Sequence, residues 1–386
     1  MRILHYLPSL DPTRGGPVRA VTDLAKGLAS RGHTVTLAAT SLGELPEGGS
    51  NGFQVVRIEG KEVIEKPFSS PQRVRARALL DAHDIVHVHG AWSTSNLTFA
   101  RHARRTGKPY LVSPRGMLDD WSMAQKRFKK RVYMVLAGRT MFERAAAVHC
   151  TAEGELRQSG KWFPKGHGVV LPNFLDLNPF RNAPGPAEAL AKFPAIGGGR
   201  PRVLFLSRLH YKKGADVFVE AAALATRSGL DATWVVAGSG EADYDKQMRQ
   251  LAHERGIADR VVFTGHVGGT LKVSLYQACE VFALPTSQEN FGFVFPESLA
   301  CGTPVVTTKG VDIWPELEKS GGSIIADRTP EAFARAVAGL LSNDGQRRAM
   351  GEAGRRWVFD RFDEQRLIGE FEAMYRACLT HSPITK

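Results

Sequence analysis

Residues 281–307 read VFALPTSQENFGFVFPESLACGTPVVT, which is a short apolar run, a loop, a helical stretch and a second apolar run. The first run covers residues 281–284 and the second covers residues 304–307. Two short strands that are joined through a helix form a parallel pair, with the helix packed on the sheet. This stretch therefore predicts an α/β fold.

The same alternation of strands and helices extends through the chain in two consecutive series. Helical stretches such as residues 18–31 and 97–105 lie between strands of the first series. Two such series predict two Rossmann-like, doubly wound domains with parallel sheets. The predicted strands are residues 2–7, 33–39, 84–89, 110–113, 147–150 and 169–171 in the first series, and residues 203–207, 233–237, 261–263, 281–284, 305–307 and 323–325 in the second.

A stretch rich in proline and glycine, residues 172–201, separates the two series. It has no strand period and predicts a connection between domains. The predicted domains are residues 1–175 and 176–361. After residue 325 the chain is expected to be helical, ending in a helix over about 362–380.

Composition excludes several classes of protein. The chain has 386 residues, of which 43% are hydrophobic and 23% charged, as in ordinary globular domains. Its apolar runs fall short of the ~20 residues that a membrane-spanning helix needs. The N-terminal run breaks at Pro8, so we expect a β-strand and not a signal peptide. The four cysteines form no CxxC pair, which favours a reducing, cytoplasmic location.

The net charge of +12 belongs entirely to the first half of the chain. Residues 1–175 hold 26 Lys and Arg against 14 Asp and Glu, whereas residues 176–386 hold 25 of each kind. Such a partition predicts that the first domain faces something anionic.

Three motifs of the first half follow predicted strands. Gly15 and Gly16 precede a helix, where backbone amides can approach an anion, although a plain glycine turn is the alternative. The spacing is not GxGxxG, which excludes the dehydrogenase fingerprint. His87 and His89 point to one face of a strand and can contact a substrate or simply be hydrogen-bonded. Arg115 can bind a phosphate or carboxylate, or be a surface arginine.

The second half carries a pair of cations and a pair of carboxylates. Arg208 and Lys213 follow a strand in SRLHYKKG, and two cations there suit a diphosphate. Glu289 and Glu297 are separated by seven residues. The first lies in a loop, where it can accept hydrogen bonds from a sugar. The second lies on a helix among apolar residues, where it can bind a vicinal diol such as that of a ribose, or be a solvated glutamate.

Residues 121–139 combine basic and apolar side chains. The basic residues are Lys126, Arg127, Lys129, Lys130 and Arg131. Apolar residues recur near helical spacing at Trp121, Phe128, Val132, Val135 and Leu136. This pattern predicts an amphipathic helix on an anionic membrane, with the steering of an anionic substrate as the alternative.

Metal and nucleotide motifs of other enzyme classes are weak or absent. Asp243 and Asp245 match a DxD metal signal but lie in a helical run, which favours a solvated helix face. The sequence contains no P-loop, no HExxH and no GxSxG motif. We therefore expect no metal site.

Together, these segments resemble the retaining glycosyltransferase family four (glycosyl transferases group 1), which has the GT-B architecture. The resemblance rests on GGPVRAVTDLAKGLASRGHTVTLAAT, DIVHVHG, SRLHYKKG, VVAGSGE, VVFTGHV and the E-x7-E block ENFGFVFPESLACGTPVV. It implies two domains that face one cleft, with the acceptor on the first and a nucleotide-sugar on the second. It also implies that the last helix crosses back to the first domain.

The resemblance further implies roles for individual residues. Arg115 stands where many relatives carry a histidine, and an arginine cannot act as a base. It implies that Glu297 binds the ribose, and that Glu289 and the amides of Asn290, Phe291 and Gly292 bind the donor sugar. The diphosphate would contact Arg208, Lys213 and the Gly15-Gly16 loop. The nucleobase would lie beside Gly238, His266 and Val267, and His89 would lie near the transferred sugar.

The predicted function is the metal-independent, retaining transfer of a hexose from a UDP- or GDP-sugar. The expected acceptor is a polysaccharide or lipid-linked glycan in cell-surface glycan synthesis, with the enzyme on the inner face of the membrane. Two alternatives remain open from the sequence. One is a sugar-nucleotide epimerase or phosphorylase of the same architecture. The other is a basic nucleic-acid-binding protein, which only the charge supports.

Overall fold

The computed structural model describes residues 1–12, 15–43, 45–50, 52–60, 67–380 and 382. The chain divides into two compact units. Unit 1 comprises Met1–Leu175 and Glu364–Lys386, and unit 2 comprises Asp176–Asp363. The divisions thus fall after residues 175 and 363, whereas the sequence predicted boundaries after residues 175 and 361.

The core of unit 1 is an eight-stranded sheet in the order β3-β4-β2-β1-β5-β6-β7-β8. Its strands pair in parallel except for β3 and β4, which are antiparallel. The strands are β1 (Arg2–Tyr6), β2 (Thr34–Ala39), β3 (Gly48–Ser50), β4 (Phe53–Arg57), β5 (Ile85–His89), β6 (Tyr110–Ser113), β7 (Ala147–Cys150) and β8 (Gly168–Val170).

Amphipathic helices connect these strands. In the first of them, Val21, Leu24 and Leu28 lie on one buried face, which explains why that stretch packs on the sheet. The helices are α1 (Gly16–Ser30), α2 (Ser70–Asp81), α3 (Thr94–Thr106), α4 (Asp120–Ala124), α5 (Arg127–Tyr133), α6 (Arg139–Glu143) and α7 (Glu153–Ser159).

Unit 2 contains a six-stranded parallel sheet in the order β11-β10-β9-β12-β13-β14. Its strands are β9 (Arg202–Leu206), β10 (Thr233–Ala237), β11 (Val261–Gly265), β12 (Val281–Ala283), β13 (Val305–Thr307) and β14 (Ser323–Ile325). Its helices are α8 (Asn178–Arg181), α9 (Ala187–Lys192), α10 (Ala215–Arg227), α11 (Ala242–Glu254), α12 (Gly269–Ala278), α13 (Val294–Ala300), α14 (Trp314–Lys319), α15 (Pro330–Ser342) and α16 (Asp344–Arg361).

Two local predictions were wrong. Strands β3 and β4 were missed, and Gly48-Gly49-Ser50 of β3 carries no apolar alternation. The stretch 172–201 contains the division after residue 175, and α8 and α9 follow within it. Residues 121–139 do not form one helix. They form α4, α5 and a π-helix over Met134–Gly138 before α6 begins.

The last helix, α17 (Glu364–Thr380), belongs to unit 1 and packs against α1. The two helices approach closely at Gly27, where an added Cβ would lie 2.4 Å from Cδ1 of Ile368. Buried Glu372 accepts a hydrogen bond from Nε2 of His33 at 2.9 Å. Burial alone would raise the pKa of Glu372, but His33 and Arg31 hold it below its usual value. Both packing and charge therefore fix α17 on unit 1.

We predict that Phe371→Ala lowers the free energy of unfolding of unit 1 by about 3–5 kcal/mol, because it leaves a cavity in a packed interface. Phe371 is fully buried, and its ring lies edge-on to His149 with 5.3 Å between the ring centroids. Urea unfolding with hydrogen exchange at β1 and β5 measures the loss. The control is Arg366→Ala on the exposed face of α17, which removes a surface ion pair with Glu370 and which we expect to change stability by less than about 0.5 kcal/mol. Equal effects of the two variants would contradict this account of α17.

Candidate functional site

Each sheet has a point where the chain reverses the direction in which it adds strands. In unit 2, β9 lies between β10 and β12, and in unit 1, β1 lies between β2 and β5. Open parallel sheets bind ligands at this point, beyond the carboxyl ends of the strands. The loops to examine are therefore residues 207–214 and 284–293 in unit 2, and the loops after β1 and β5 in unit 1.

The two loops of unit 2 are bonded to each other through their backbones. The carbonyl oxygen of Lys212 accepts hydrogen bonds from the amide of Ser287 at 2.8 Å and from the hydroxyl of Thr286 at 3.2 Å. Gly214 has φ +78°, and a Cβ there would lie 2.2 Å from the carbonyl oxygen of Pro285. Only glycine fits this position, so the side chains before it are held against the second loop.

Lys213 and Glu289 form an ion pair across the two loops. Nζ of Lys213 donates to Oε2 of Glu289, and the lysine is 7% exposed. Burial alone would raise the pKa of Glu289, but Lys213, with Lys212 and Arg208 nearby, holds it below its usual value. The carboxylate therefore stays ionised, and it orients the lysine at the mouth of the sheet.

The first loop carries an excess of positive charge. Arg208 is exposed directly after β9, while Nζ of Lys212 donates to Gln288 at 2.5 Å. Burial first, and then Lys212 and Arg208, lower the pKa of His210. Three cations therefore lie near one neutral histidine and one carboxylate, which favours an anionic ligand.

The second loop holds Glu289 by its backbone. Its amide donates to the carbonyl oxygen of Gly310 at 2.9 Å, and its own carbonyl accepts from the amide of Asp312 at 2.9 Å. The side-chain amide of Asn290 donates to Asp312 at 3.1 Å. These hydrogen bonds hold the Glu289 carboxylate in position before a ligand binds.

Phe291 and Gly292 can contact a ligand only through their backbone amides. The ring of Phe291 is buried against Phe293 and Phe362, so its side chain serves packing. Within the part of the chain that the structure describes, neither the Phe291 amide nor the Gly292 amide donates to a backbone carbonyl. Both are candidate donors to a ligand.

Glu297 is buried on α13 and bonded to two residues that the sequence analysis missed. Its Oε1 accepts from Nζ of Lys272 at 2.7 Å, and its Oε2 accepts from the hydroxyl of Tyr276 at 3.3 Å. The alternative of a solvated glutamate is therefore wrong. Lys272 and Tyr276 are four residues apart on α12 and so lie on one face of that helix, and this spacing was the signal available in the sequence.

The ends of β9, β10 and β11 are also close together. The amide of Gly238 donates to the carbonyl oxygen of Gly265 at 2.7 Å. Gly238 has φ +138°, and a Cβ there would lie 1.9 Å from the carbonyl oxygen of Ser207, so glycine is required. Of the two residues after β11, His266 is exposed and Val267 is buried.

In unit 1, Gly15 and Gly16 form the start of α1. Gly15 has φ +88° and its amide donates to Pro12, while Gly16 is the first helical residue. Among the described residues no side chain caps this helix, and its first turn contains no acidic residue, so its N-terminus is suited to an anion. Residues 13 and 14 of the predicted loop lie outside the described residues.

Arg115 fixes the hydrogen positions of two histidines. Its Nη2 can only donate, so Nδ1 of His89, at 3.1 Å, is an acceptor. The neutral His89 ring therefore carries its proton on Nε2 and donates it to Nδ1 of His5 at 3.1 Å. Nε2 of His5 then carries a proton, and among the described residues neither this nitrogen nor the buried Nε of Arg115 has a hydrogen-bond partner.

A second chain of hydrogen bonds links α17 to the sheet. Nε2 of His149 donates to the carbonyl oxygen of Leu171 at 2.8 Å, so its Nδ1 accepts from the hydroxyl of Ser113. Ser113 then accepts from Nε2 of His87 at 2.7 Å, and Nδ1 of His87 accepts from the hydroxyl of Tyr375 at 2.9 Å. Each direction follows from the one before it.

These contacts rule out the surface-arginine alternative for Arg115, whereas the expected place of His89 near a transferred sugar stays a prediction. His89 is fully buried, and both of its ring nitrogens are bonded within unit 1, so the ring has no nitrogen left for a sugar in this structure. Arg115 is not a surface residue, because it is 8% exposed and donates to Asn173. Its backbone has φ +57°, and burial lowers its pKa to about 10.

Among the described residues, His5, His87 and His89 bring ring nitrogens within 4.8 Å of one another, close enough to hold a metal ion. These nitrogens do not suit a metal cation. Nη2 of the positively charged Arg115 lies 3.1 Å from Nδ1 of His89, and hydrogen bonds within unit 1 occupy most of the other ring nitrogens. Asp243 and Asp245, the weak DxD match, lie on α11, and Asp245 pairs with Arg249.

We predict that acid destabilises unit 1 through these histidines. Burial, with Arg115 nearby, lowers the pKa of His5 and of His149 to about 3, and it lowers the pKa values of His87 and His89 well below the usual value. Below pH 6.5 the unfolded chain binds protons that the folded chain does not. Stability should therefore fall by about 1.4 kcal/mol per pH unit for each histidine that stays neutral.

Urea unfolding between pH 7 and pH 5 measures this slope, and NMR of the ring nitrogens follows each histidine. The buried rings should show no titration in that window. A titration of His5 or His149 near pH 6.5 would contradict the assignment.

Two models of known protein families match this chain. A family model described as Glycosyl transferase 4-like domain matches residues 15–173, and one described as Glycosyl transferases group 1 matches residues 187–357. The GDP-mannose-dependent alpha-(1-6)-phosphatidylinositol monomannoside mannosyltransferase of Mycobacterium tuberculosis is 29% identical over 92% of this chain and 93% of that protein.

Two further proteins are similar along nearly their whole length. The D-inositol 3-phosphate glycosyltransferase of Xylanimonas cellulosilytica is 28% identical over 90% of this chain and 88% of its own. The crystal structure of Anabaena HepE in complex with UDP superposes with a TM-score of 0.78 at 18% identity, covering 98% of this chain and 100% of that one. At that identity the superposition shows a shared fold alone.

Proposed function

Because this chain belongs to the glycosyl transferases group 1 family and is a glycosyltransferase, we propose that it transfers a hexose from a UDP- or GDP-sugar. The predicted GT-B class of α/β fold is confirmed by the two parallel-sheet units and the structural neighbours. The proposed acceptor is a polysaccharide or a lipid-linked glycan. In support, the mycobacterial relative is by name a phosphatidylinositol monomannoside mannosyltransferase.

The observation that carries the proposal is the ion pair of Lys213 and Glu289, with exposed Arg208, at the strand ends of unit 2. A nucleotide-sugar has an anionic diphosphate next to a neutral sugar rich in hydroxyl groups. Cations match the first part of such a ligand, and a fixed carboxylate matches the second. We therefore assign the diphosphate to Arg208 and Lys213, and the donor sugar to Glu289 with the amides of Phe291 and Gly292.

The proposed reaction breaks the bond between the anomeric carbon and the diphosphate oxygen, and forms a bond from that carbon to the acceptor oxygen. Negative charge grows on the leaving diphosphate, where Arg208 and Lys213 stabilise it without a metal ion. Comparable preorganised donors contribute about 3–4 kcal/mol each. The acceptor proton passes to the departing phosphate oxygen.

Retention of configuration is part of the proposal. Glu289 is already engaged by Lys213, which makes the carboxylate a poor nucleophile towards the anomeric carbon. Attack from the same face as the leaving group then retains the configuration without a covalent intermediate. Analysis of the anomeric configuration of the product by NMR tests this step.

The nucleoside end of the donor is assigned to Glu297 and the ends of β10 and β11. The Glu297 carboxylate is held by Lys272 and Tyr276 and has lone pairs left for a ribose diol. We assign the nucleobase to Gly238 and to His266 and Val267.

A panel of UDP-, GDP- and ADP-sugars in a thermal-shift experiment identifies the donor. A ligand at about 100 times its dissociation constant adds about 2.7 kcal/mol of stability. Turnover of the stabilising donor should require an added acceptor. Turnover without an acceptor would favour an epimerase, and salt-sensitive binding to DNA without donor binding would favour a nucleic-acid-binding protein.

We predict that Glu297→Gln weakens the binding of UDP or GDP itself by about 1.5–3 kcal/mol, because a charged hydrogen bond to the ribose is lost. Glu289→Gln should weaken binding of the intact nucleotide-sugar more than binding of the free nucleotide. Calorimetric titration with both ligands separates the two effects. The control is Glu220→Gln, which removes a surface ion pair with Arg255. Unchanged nucleotide affinity in Glu297→Gln would disprove the ribose assignment.

We predict that Arg208→Gln and Lys213→Met each lower turnover by about 100-fold or more, since their contribution grows as the diphosphate leaves. Ground-state donor affinity should fall by less than turnover, and exposed Lys192→Gln serves as the control. Activity of the unmodified enzyme should survive EDTA. Loss of activity in EDTA that Mg²⁺ or Mn²⁺ restores would overturn the metal-independent mechanism and return attention to Asp243 and Asp245.

A further inference from the structure

Four large apolar side chains are exposed within nine residues of unit 1. Phe128 is 82% exposed, Val135 80%, Leu136 77% and Val132 40%. The only other exposed large apolar residues in the described part of the chain are single positions, Val74 in unit 1 and Tyr211 in unit 2. Single exposed apolar residues are ordinary, but a contiguous group marks an interaction surface.

The opposite face of the same segment is anchored in the core. Met134 and Met141 are buried there, and the ring of Tyr133 packs edge-on to Trp92 with 5.6 Å between the ring centroids. Nζ of Lys130 donates to the carbonyl oxygen of Ser122 at 2.6 Å. The exposed side chains therefore cannot turn inward without breaking this packing.

A π-helical turn adds to the outward face. Over Met134–Gly138 the hydrogen bonds span five residues, as when the amide of Arg139 donates to the carbonyl oxygen of Met134. Phe128 and Val132 lie four residues apart on α5, a helix that has no buried residue. Val135 and Leu136 follow in the π-helical turn, and both are strongly exposed.

Basic residues surround the exposed apolar side chains. Residues 121–142 contain six Lys or Arg and no Asp or Glu. Lys126, Arg127, Lys129 and Arg131 are exposed. Lys130 was predicted to belong to this group, but it is half-buried and bonded to Ser122 and so belongs to the anchored face. Trp121 is likewise half-buried.

We propose that this docking face, formed by Phe128, Val132, Val135, Leu136, Lys126, Arg127, Lys129 and Arg131, lies on an anionic lipid bilayer. The apolar side chains enter the interface, and the basic ones contact lipid headgroups. No helix in the described ranges is both long and apolar enough to cross a bilayer, so the proposed contact is interfacial. The biological role of this contact rests on the proposed function, in which the acceptor is lipid-linked or at the cell surface. The test of the contact depends on the docking face alone.

Two other occupants fit the face less well. A symmetric dimer brings the same patch of both copies together, so four exposed cations would face four more. Nucleic acid is anionic, but single-strand binding uses aromatic rings for stacking, and Phe128 is the single aromatic residue among the exposed apolar side chains of the face. A bilayer matches both the aliphatic and the basic part.

Co-sedimentation of the full chain with vesicles tests the proposal. Vesicles of phosphatidylcholine are compared with vesicles that contain about one third phosphatidylglycerol, at low and at high salt. We expect binding that requires the anionic lipid and weakens with salt. The charge variant carries Lys126→Gln, Arg127→Gln, Lys129→Gln and Arg131→Gln, and the apolar variant carries Phe128→Gln, Val135→Gln and Leu136→Gln. Each should bind at least about tenfold more weakly.

The controls carry substitutions of the same kinds elsewhere on unit 1, four for charge and one for apolar exposure. Arg75→Gln, Arg77→Gln, Arg104→Gln and Arg105→Gln remove four exposed charges, and Val74→Gln removes an exposed apolar side chain. Controls should retain vesicle binding, and all variants should keep UDP or GDP binding. The proposal would be overturned if the protein failed to bind anionic vesicles at low salt or bound neutral vesicles equally well. Dimerisation through this face, or an equal loss of vesicle binding in the controls, would also overturn it. If the unmodified protein did not bind UDP or GDP, the proposed function would be overturned instead.

Discussion

The geometry of the candidate site in unit 2 depends on the ion pair between Lys213 and Glu289. Isolated, either charge would be costly to bury, and a buried ion pair adds little stability over apolar side chains of similar size. The pair joins the loop after β9 to the loop after β12, at the point where ligands bind in open parallel sheets. Its retention is therefore better explained by ligand binding than by stability.

Charge at this position also matches the proposed ligand. Arg208, Lys212 and Lys213 contribute three positive charges, and Glu289 cancels one of them. The net charge that remains, two positive charges, matches the two negative charges of a sugar-linked diphosphate. A site of this kind holds its ligand with side chains that are already oriented, so little reorganisation is needed when the diphosphate leaves.

The sequence allowed the fold and part of the site to be predicted, because both follow from local patterns. The alternation of short apolar runs with helices identified the strands of both sheets except β3 and β4, and glycine, lysine and glutamate positions marked the loops. Partners that are distant in sequence could not be found this way. Lys213 lies 76 residues from Glu289, and Tyr375 lies 288 residues from His87. A periodic pattern carries no information about such pairs.

The positive charge of the first half of the chain includes two physically different groups. Arg115 is a buried cation that donates to Asn173 and to the His89 ring, and burial first, with the Arg115 charge added to it, lowers the pKa values of the nearby histidines. The lysines and arginines of the docking face are exposed, so they can contact an anionic partner directly. Sequence counting combined the two groups into one excess of charge, and burial is what separates a cation that organises the interior from cations that can attract a partner.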